Sequence, residues 1–346
     1  MAYTDIDKPS DYFNTVLYTG NSSTQAIAVG FQSDWVWCKP RTNTGSHFLT
    51  DSVRGGTKVI VSNTTATEIT RSNNIQSFTS TGYTLGADGT SNYNGDATVS
   101  WNWKAGTSFT NDASATGIGT IDSTGSVNQD AGFSIVSFDL SGQSGNETIK
   151  HGLNSAPKVI ITKRLSGGAG DWTSYFGAIG NSYLVLNKTS AGATNADFMN
   201  NTAPTSSVFT VGDPSWWGAS PFIAYCFSEK KGYSKFGSYT GNGSSNGTFV
   251  YTGFKPAFML FKRTDGATSW IIMDNKRNTY NPAGLSLFPN SSDAEYNYGD
   301  RIDILSNGFK NRNSGSDFNA SGGSYIYMAF AENPFVTSTG VPACAR

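Results

Sequence analysis

Charge is what this sequence has least of: Asp, Glu, Lys and Arg make up 14% of 346 residues, and the formal net charge is -1. Such a chain lacks the positive footprint that neutralises phosphates, which excludes nucleic acid as a partner. Histidine is scarcer still, with 2 residues, His47 and His151. A Ser-His-Asp triad needs a base held between a nucleophile and an orienting carboxylate. Only His47, near Asp51, approaches that pattern, and an exposed loop histidine is the expected reading. Cys38, Cys226 and Cys344 are odd in number and far apart, so neither a disulfide framework nor a metal site is expected. No apolar run nears the roughly 20 residues of a membrane-spanning helix. The opening Met1-Ala2-Tyr3-Thr4-Asp5 carries no basic or apolar leader pattern, and a product of a reducing cytosol is expected. No sustained i, i+3, i+4, i+7 apolar stripe occurs, so helices should be few.

Aromatic residues, by contrast, reach 13%, with 22 Phe, 16 Tyr and 8 Trp beside 39 Gly. That content argues against disorder. Much of it falls in three recurring landmarks. The first is an aromatic followed by a polar turn, at Tyr18-Thr19-Gly20-Asn21-Ser22-Ser23, Phe138-Asp139-Leu140-Ser141-Gly142 and Tyr239-Thr240-Gly241-Asn242-Gly243-Ser244. The second begins at Gly30-Phe31, Gly152-Leu153 and Gly253-Phe254 and runs through apolar strands to Lys39, Lys163 and Lys262. The third is an alternating aromatic strand ending near Trp103, Phe227 and Phe330. The lysines are spaced by 124 and 99 residues, and the closing aromatics by 124 and 103, so independent landmarks agree on a triplication.

Short β-branched and aromatic runs lie between these landmarks, bounded by Gly, Asn, Ser and Pro. The expected fold is all-β, with three tandem antiparallel β-sandwich repeats of lectin-like or jelly-roll-like type. Their bounds are 1–106, with a possible docking role, 131–232 and 233–336. Residues 107–130, rich in Gly, Ser and Thr, read as a flexible linker or an extended surface arm, and 337–346 as a C-terminal tail. The junction near 232 is too short to uncouple its neighbours, so the second and third repeats should pair.

Candidate chemistry is sparse. Asp51 to Arg54 and Asp274 to Arg277 read as salt-bridged turns, and Asp300 and Asp303 as a solvated strand face. The Gly-rich stretch 165–170 lacks a P-loop lysine and reads as a hairpin. Trp35, Trp37, Trp101 and Trp103 alternate along strands and should pack in a core. Trp216 and Trp217 follow Asp213-Pro214 in a loop, where exposed indoles can stack on sugar rings or anchor an interface. The expected binding patch is therefore Trp216, Trp217 and Trp172, with Asp213 nearby, and no catalytic, cofactor or metal site is expected.

The "Tyr-Thr-Gly-Asn-Gly-Ser" opening at 239–244, the strand from Gly253 to Arg263 and the closing Ala329-Phe330-Ala331-Glu332 resemble a family of tailed-phage virion proteins, common in marine and cyanobacterial phages. The likeness extends to Tyr12-Phe13-Asn14-Thr15 and Gly340-Val341-Pro342. It implies a non-enzymatic structural appendage of tail or capsid, located on the virion. Implied partners are other virion proteins or a host-surface glycan, and the implied state is a homo-oligomer, a trimer by analogy. The competing reading is a glycan-degrading tailspike-type enzyme. The first repeat departs from the pattern at Ser33, where the third has Pro256, and it closes on Trp103-Lys104-Ala105-Gly106.

Overall fold

The computed structural model describes residues 3–343. Cys344 lies outside the described residues. Antiparallel sheets dominate, and the described helices are three of four residues, Ala113–Thr116, Ala196–Met199 and Pro214–Trp217, with two 3-10 turns.

Three large sheets share one order of strands. In the first block the opening strand Phe13–Thr19 pairs with the closing strand Ala97–Trp103, then come the central strand Trp35–Pro40 and the hairpin strand Phe48–Asp51. The second block runs Phe133–Asp139, Pro221–Phe227, Val159–Arg164, Trp172–Phe176 in the same order. The third runs Ser234–Thr240, Ser324–Pro334, Phe254–Arg263, Ile271–Asp274. The landmark glycines turn the chain into each central strand at positive φ: +103° at Gly30, +77° at Gly152 and +85° at Gly253. Glycine adopts that conformation without the steric cost other residues meet. Gly20 and Gly241 are required by close approach, since a Cβ would lie 2.1 Å from the Tyr93 carbonyl oxygen and 2.3 Å from that of Ala320.

Both faces of each large sheet are covered, and the period-2 alternation divides them. Val36 and Cys38, Ile160 and Cys226, Met259 and Phe261 face the second sheet of their own block, of three, two and four strands in turn. Trp35, Trp37, Phe133, Ile135, Phe258 and Leu260 face the opposite way, into a single aromatic core shared by all three blocks. At its centre the closing-strand rings form a triangle, with centroids 6.4 Å apart for Trp103 and Phe227, 5.8 Å for Phe227 and Phe330, and 5.7 Å for Trp103 and Phe330. The four tryptophans expected in a core are there, each at 1% exposure or less.

The blocks join head to tail and the ring closes. Block one meets block two through Glu68 N–H donating to Leu165 O (3.1 Å) and Gly170 N–H to Thr65 O (2.9 Å). Blocks two and three repeat the scheme through Gly192 to Thr264 (2.8 Å) and Thr268 to Thr189 (3.0 Å). Blocks three and one complete it through Glu295 to Arg41 and Gly45 to Ser292, both 2.8 Å. Blocks two and three do pair, as their short junction implies, and block one packs against both of them: all three bury apolar strand faces against one another. Trp172 Nε1 donates to Val61 O (2.8 Å) across one junction, and Trp270 Nε1 to Val185 O (2.9 Å) across the next.

The expected linker at 107–130 is corrected. Thr107–Asn111 and Ser123–Asn128 pair with each other, and the latter pairs with Phe133–Asp139 as an extension of the second sheet. Their few apolar side chains suffice because Phe109 lies over Gly125 and Gly152, where small residues admit its ring. The described tail folds back, with Thr337 N–H donating to Val341 O (2.8 Å) and Ser338 N–H to Asp7 Oδ1 (2.6 Å).

The three landmark lysines end the central strands fully buried. Their ammonium groups donate to backbone carbonyls: Lys39 to Pro40 (2.7 Å), Lys163 to Gly170 (2.6 Å), Lys262 to Arg263 (2.8 Å) and, across the junction, to Thr189 (3.2 Å). Burial lowers each pKa from 10.5 to about 8. Between pH 8 and 10.5 the unfolded chain then binds more protons at these sites, so their contribution to stability rises with pH across that window. Burial raises the pKa of Cys38, Cys226 and of tyrosines such as Tyr18, Tyr83, Tyr225, Tyr233 and Tyr239, which opposes that rise from about pH 9 upward. The thermal midpoint is expected to climb from pH 8 and turn over between about pH 9 and 10; a midpoint that falls steadily from pH 8 would contradict this assignment.

Candidate functional site

The sequence Asp213-Pro214-Ser215-Trp216-Trp217 builds its own short helix. Asp213 is the N-cap, its carboxylate accepting from Ser215 N–H at 2.7 Å, and Pro214 sits where a missing N–H costs nothing. Those hydrogen bonds lower the Asp213 pKa. Gly218, at φ +93°, ends the helix and leaves room for Arg164, whose guanidinium a Cβ would approach to 2.6 Å. Arg164 is held by Ser166 O (2.9 Å) and Ser220 Oγ (3.1 Å).

Beside this helix opens a cavity of about 520 Å³, lined among others by Arg164, Asp171, Tyr183, Lys188, Trp216 and Trp217. Trp216 is half-buried, its ring 5.4 Å from Tyr183 and 5.3 Å from Trp217. Asp171 pairs with Lys188 and accepts from Asn187 (2.9 Å). Burial would raise the Asp171 pKa, but these hydrogen bonds dominate and lower it. The wall thus combines an aromatic surface with hydrogen-bonding groups of both signs, a combination suited to a polar ligand with an apolar face.

Of the four residues expected to form a patch, Trp216 lines the cavity and Asp213 caps the helix that carries it. Trp217 is 7% exposed, stacks on Phe198 at 5.7 Å and donates its indole N–H to Asp197 O at 2.9 Å. It is chiefly a structural wall. Trp172 is not in the patch, because strand alternation turns it to the opposite face of the sheet, into the shared core. Trp217→Ala is expected to cost about 3 kcal/mol of stability and Trp216→Ala about 1 kcal/mol, as read by denaturant unfolding. Sequence reasoning missed Arg164, Asp171, Tyr183 and Lys188, although the first two flank the Gly-rich hairpin at 165–170.

The other candidates carry structure. Neither histidine is exposed. His47 Nδ1 accepts from Trp37 Nε1 at 2.9 Å, and burial lowers its pKa well below 6.5. His151 Nδ1 accepts from Leu153 N–H at 3.1 Å, and burial lowers its pKa to about 4. Asp303 pairs with Arg312 at 3.4 Å, and Asp300 is exposed. The turns at Asp51 and Asp274 are salt-bridged as expected, at 2.7 and 2.6 Å, and both also reach across a junction. Among the described residues no group of three or more His, Cys, Asp or Glu could hold a metal ion. Cys38 and Cys226 are buried free thiols, and burial raises both pKa values.

Fold and site together define an all-β protein of packed antiparallel sheets with a mixed aromatic and polar groove at its rim. Residues 8–334 match the family described as Domain of unknown function (DUF7483), and the chain belongs to that family. No curated protein and no solved structure matches it.

Proposed function

We propose that the protein is a non-enzymatic virion structural protein of a tailed phage: an outward-facing appendage on tail or capsid that binds a surface glycan or a neighbouring virion protein. The observation that carries the binding half of this reading is the groove beside Trp216, where an indole, a guanidinium and a hydrogen-bonded carboxylate line one cavity. The resemblance to phage virion proteins carries the rest.

The three blocks are, on this reading, tandem copies of one lectin-like sandwich. The shared strand order, the positive-φ glycines and the equivalent buried lysines support it. Rigid sheets hold the polar loops in place, which is how scaffolds present recognition surfaces. Both histidines are buried and engaged in hydrogen bonds, which favours binding over acid-base catalysis. The appendage assembles as a trimer by analogy; light scattering should then give about three times the chain mass of 36.9 kDa.

Cryo-electron microscopy of purified particles tests the location, with density for this chain expected on the tail or capsid surface. Its absence from purified particles contradicts the virion reading. Purified protein is expected to leave neutral polysaccharides at their original length by size-exclusion chromatography. Shortened products would instead favour the tailspike-type enzyme.

A further inference from the structure

The third block has a cavity of about 540 Å³ whose lining includes Phe288, Asp293, Tyr298, Arg301, Asn313 and Asp317. It opens at the same corner of its block as the groove in block two. Ser269 there precedes Trp270 as Asp171 precedes Trp172, and Phe288 stands where Val185 stands. The equivalence is exact in the hydrogen bonding behind the two walls. Trp172 N–H donates to Asn187 Oδ1 and Trp270 N–H to Asn290 Oδ1, both at 2.8 Å.

We infer that this cavity is a second saccharide site, so that the chain grips one neutral polymer at two points; the inference rests on reading the Trp216 groove as a saccharide site.

The third-block cavity rebuilds the same chemical kit from residues at other positions. Arg301 is 1% exposed and its guanidinium lies 3.4 Å from the Tyr298 ring centroid and 4.8 Å from that of Phe318. One terminal nitrogen donates to Asp317 Oδ2 at 2.6 Å, while Nε has no protein partner. A buried donor without an acceptor carries a desolvation cost that a ligand hydroxyl relieves. Tyr298 is 43% exposed, and Tyr296 meets it edge-on at 4.4 Å, which gives an accessible aromatic surface beside fixed polar groups. The charge of the two cavities selects the ligand class. Arg164 and Lys188 face Asp171 in block two, whereas Arg301 faces Asp293 and Asp317 in block three. A shared charged ligand would be favoured by one and repelled by the other. Both accept a neutral saccharide, whose hydroxyls bond to either sign of group and whose C–H face packs on an aromatic ring.

Two sites on one rigid body add their effects on a polymer by raising the local concentration for the second contact. The test prints neutral glucan, mannan and galactan oligosaccharides at high density and measures retention of the wild type, Trp216→Ala, Tyr298→Ala and Ser316→Tyr. Tyr298→Ala uncovers Arg301 and so risks unfolding. Ser316→Tyr, at an exposed wall position, fills the cavity while keeping that stack. Loss of about tenfold or more in retention by Ser316→Tyr, at an unchanged thermal midpoint, is the expected result. Wild-type retention by both third-block variants alongside loss by Trp216→Ala overturns this site and leaves the groove reading standing. Loss by the third-block variants with none by Trp216→Ala overturns the two-point grip and the groove reading, and leaves a single saccharide site in block three. A wild type that no printed saccharide retains overturns both.

Discussion

Arg277→Ala is expected to lower unfolding stability by about 3–5 kcal/mol, because it strands a carboxylate in the interior. Arg277 and Asp274 have fully buried side chains and meet at 2.6 Å. The guanidinium also pairs with Glu295 at 2.7 Å, donates to Ile272 O at 3.1 Å and lies 5.6 Å from the Trp101 ring centroid. Asp274 Oδ2 accepts from Trp101 Nε1 at 3.0 Å, so one cluster ties the third block to the first. The first-to-second junction repeats it with Asp51, Arg54 and Tyr225, whose hydroxyl donates to Asp51 at 2.8 Å. At the second-to-third junction the equivalent position is Phe176, which packs 5.9 Å from Trp270. One junction therefore closes without the ion pair. Removing both charges, as in Asp274→Phe with Arg277→Leu, is expected to cost less than Arg277→Ala alone. Denaturant midpoints of the two variants check the order; equal losses would contradict it.

Trp103→Ala is expected to cost about 5 kcal/mol, the upper end for a buried aromatic, since the cavity would lie between three sheets that cannot all collapse into it. The ring contacts Phe13 at 4.9 Å, Trp35 at 4.5 Å and Phe258 at 5.4 Å, besides completing the central triangle. Its Nε1 has no acceptor. Trp103→Phe places the side chain that Phe227 and Phe330 supply at the equivalent positions, removes an unpaired donor and is expected to lose far less. Chemical denaturation of both variants reads the difference, and a similar loss in each would show that the triangle is not a packing centre.

Landmarks with a local cause were readable in the sequence. The Tyr-Thr-Gly-Asn turns stand out because Asn21 and Asn242 N–H groups donate to buried Asn92 and Asn319, both at 2.9 Å, and because their glycines touch backbone. Strand alternation likewise placed Trp35 and Trp103 in a core. It could not say which core, since every large sheet is buried on both faces, and this is why Trp172 was assigned to the wrong side. Lys39, Lys163 and Lys262 stood out by their spacing, but their burial was not legible, since their ammonium groups are held by backbone carbonyls and, for Lys262, by Thr189 of the neighbouring block. Residues 107–130 resembled a linker because the edge strand Thr107–Asn111 needs few large apolar residues and its neighbour Ser123–Asn128 is built largely of small ones, Ser123, Gly125 and Ser126. In the groove, the Asp213-Pro214 cap and the paired indoles were legible, whereas Arg164 and Lys188 arrive from hairpins far away in the chain.

Native-state hydrogen exchange against denaturant tests the closed ring most directly, because it reads each block separately. The amides of the closing strands Ala97–Trp103, Pro221–Phe227 and Ser324–Pro334 lie behind the shared aromatic core. The ring predicts that all three strands lose protection together, at one denaturant concentration and with one opening free energy, and that Arg277→Ala lowers all three equally. A block whose closing strand exchanges through its own lower-energy opening, unaffected by Arg277→Ala, would show independent domains and contradict the account.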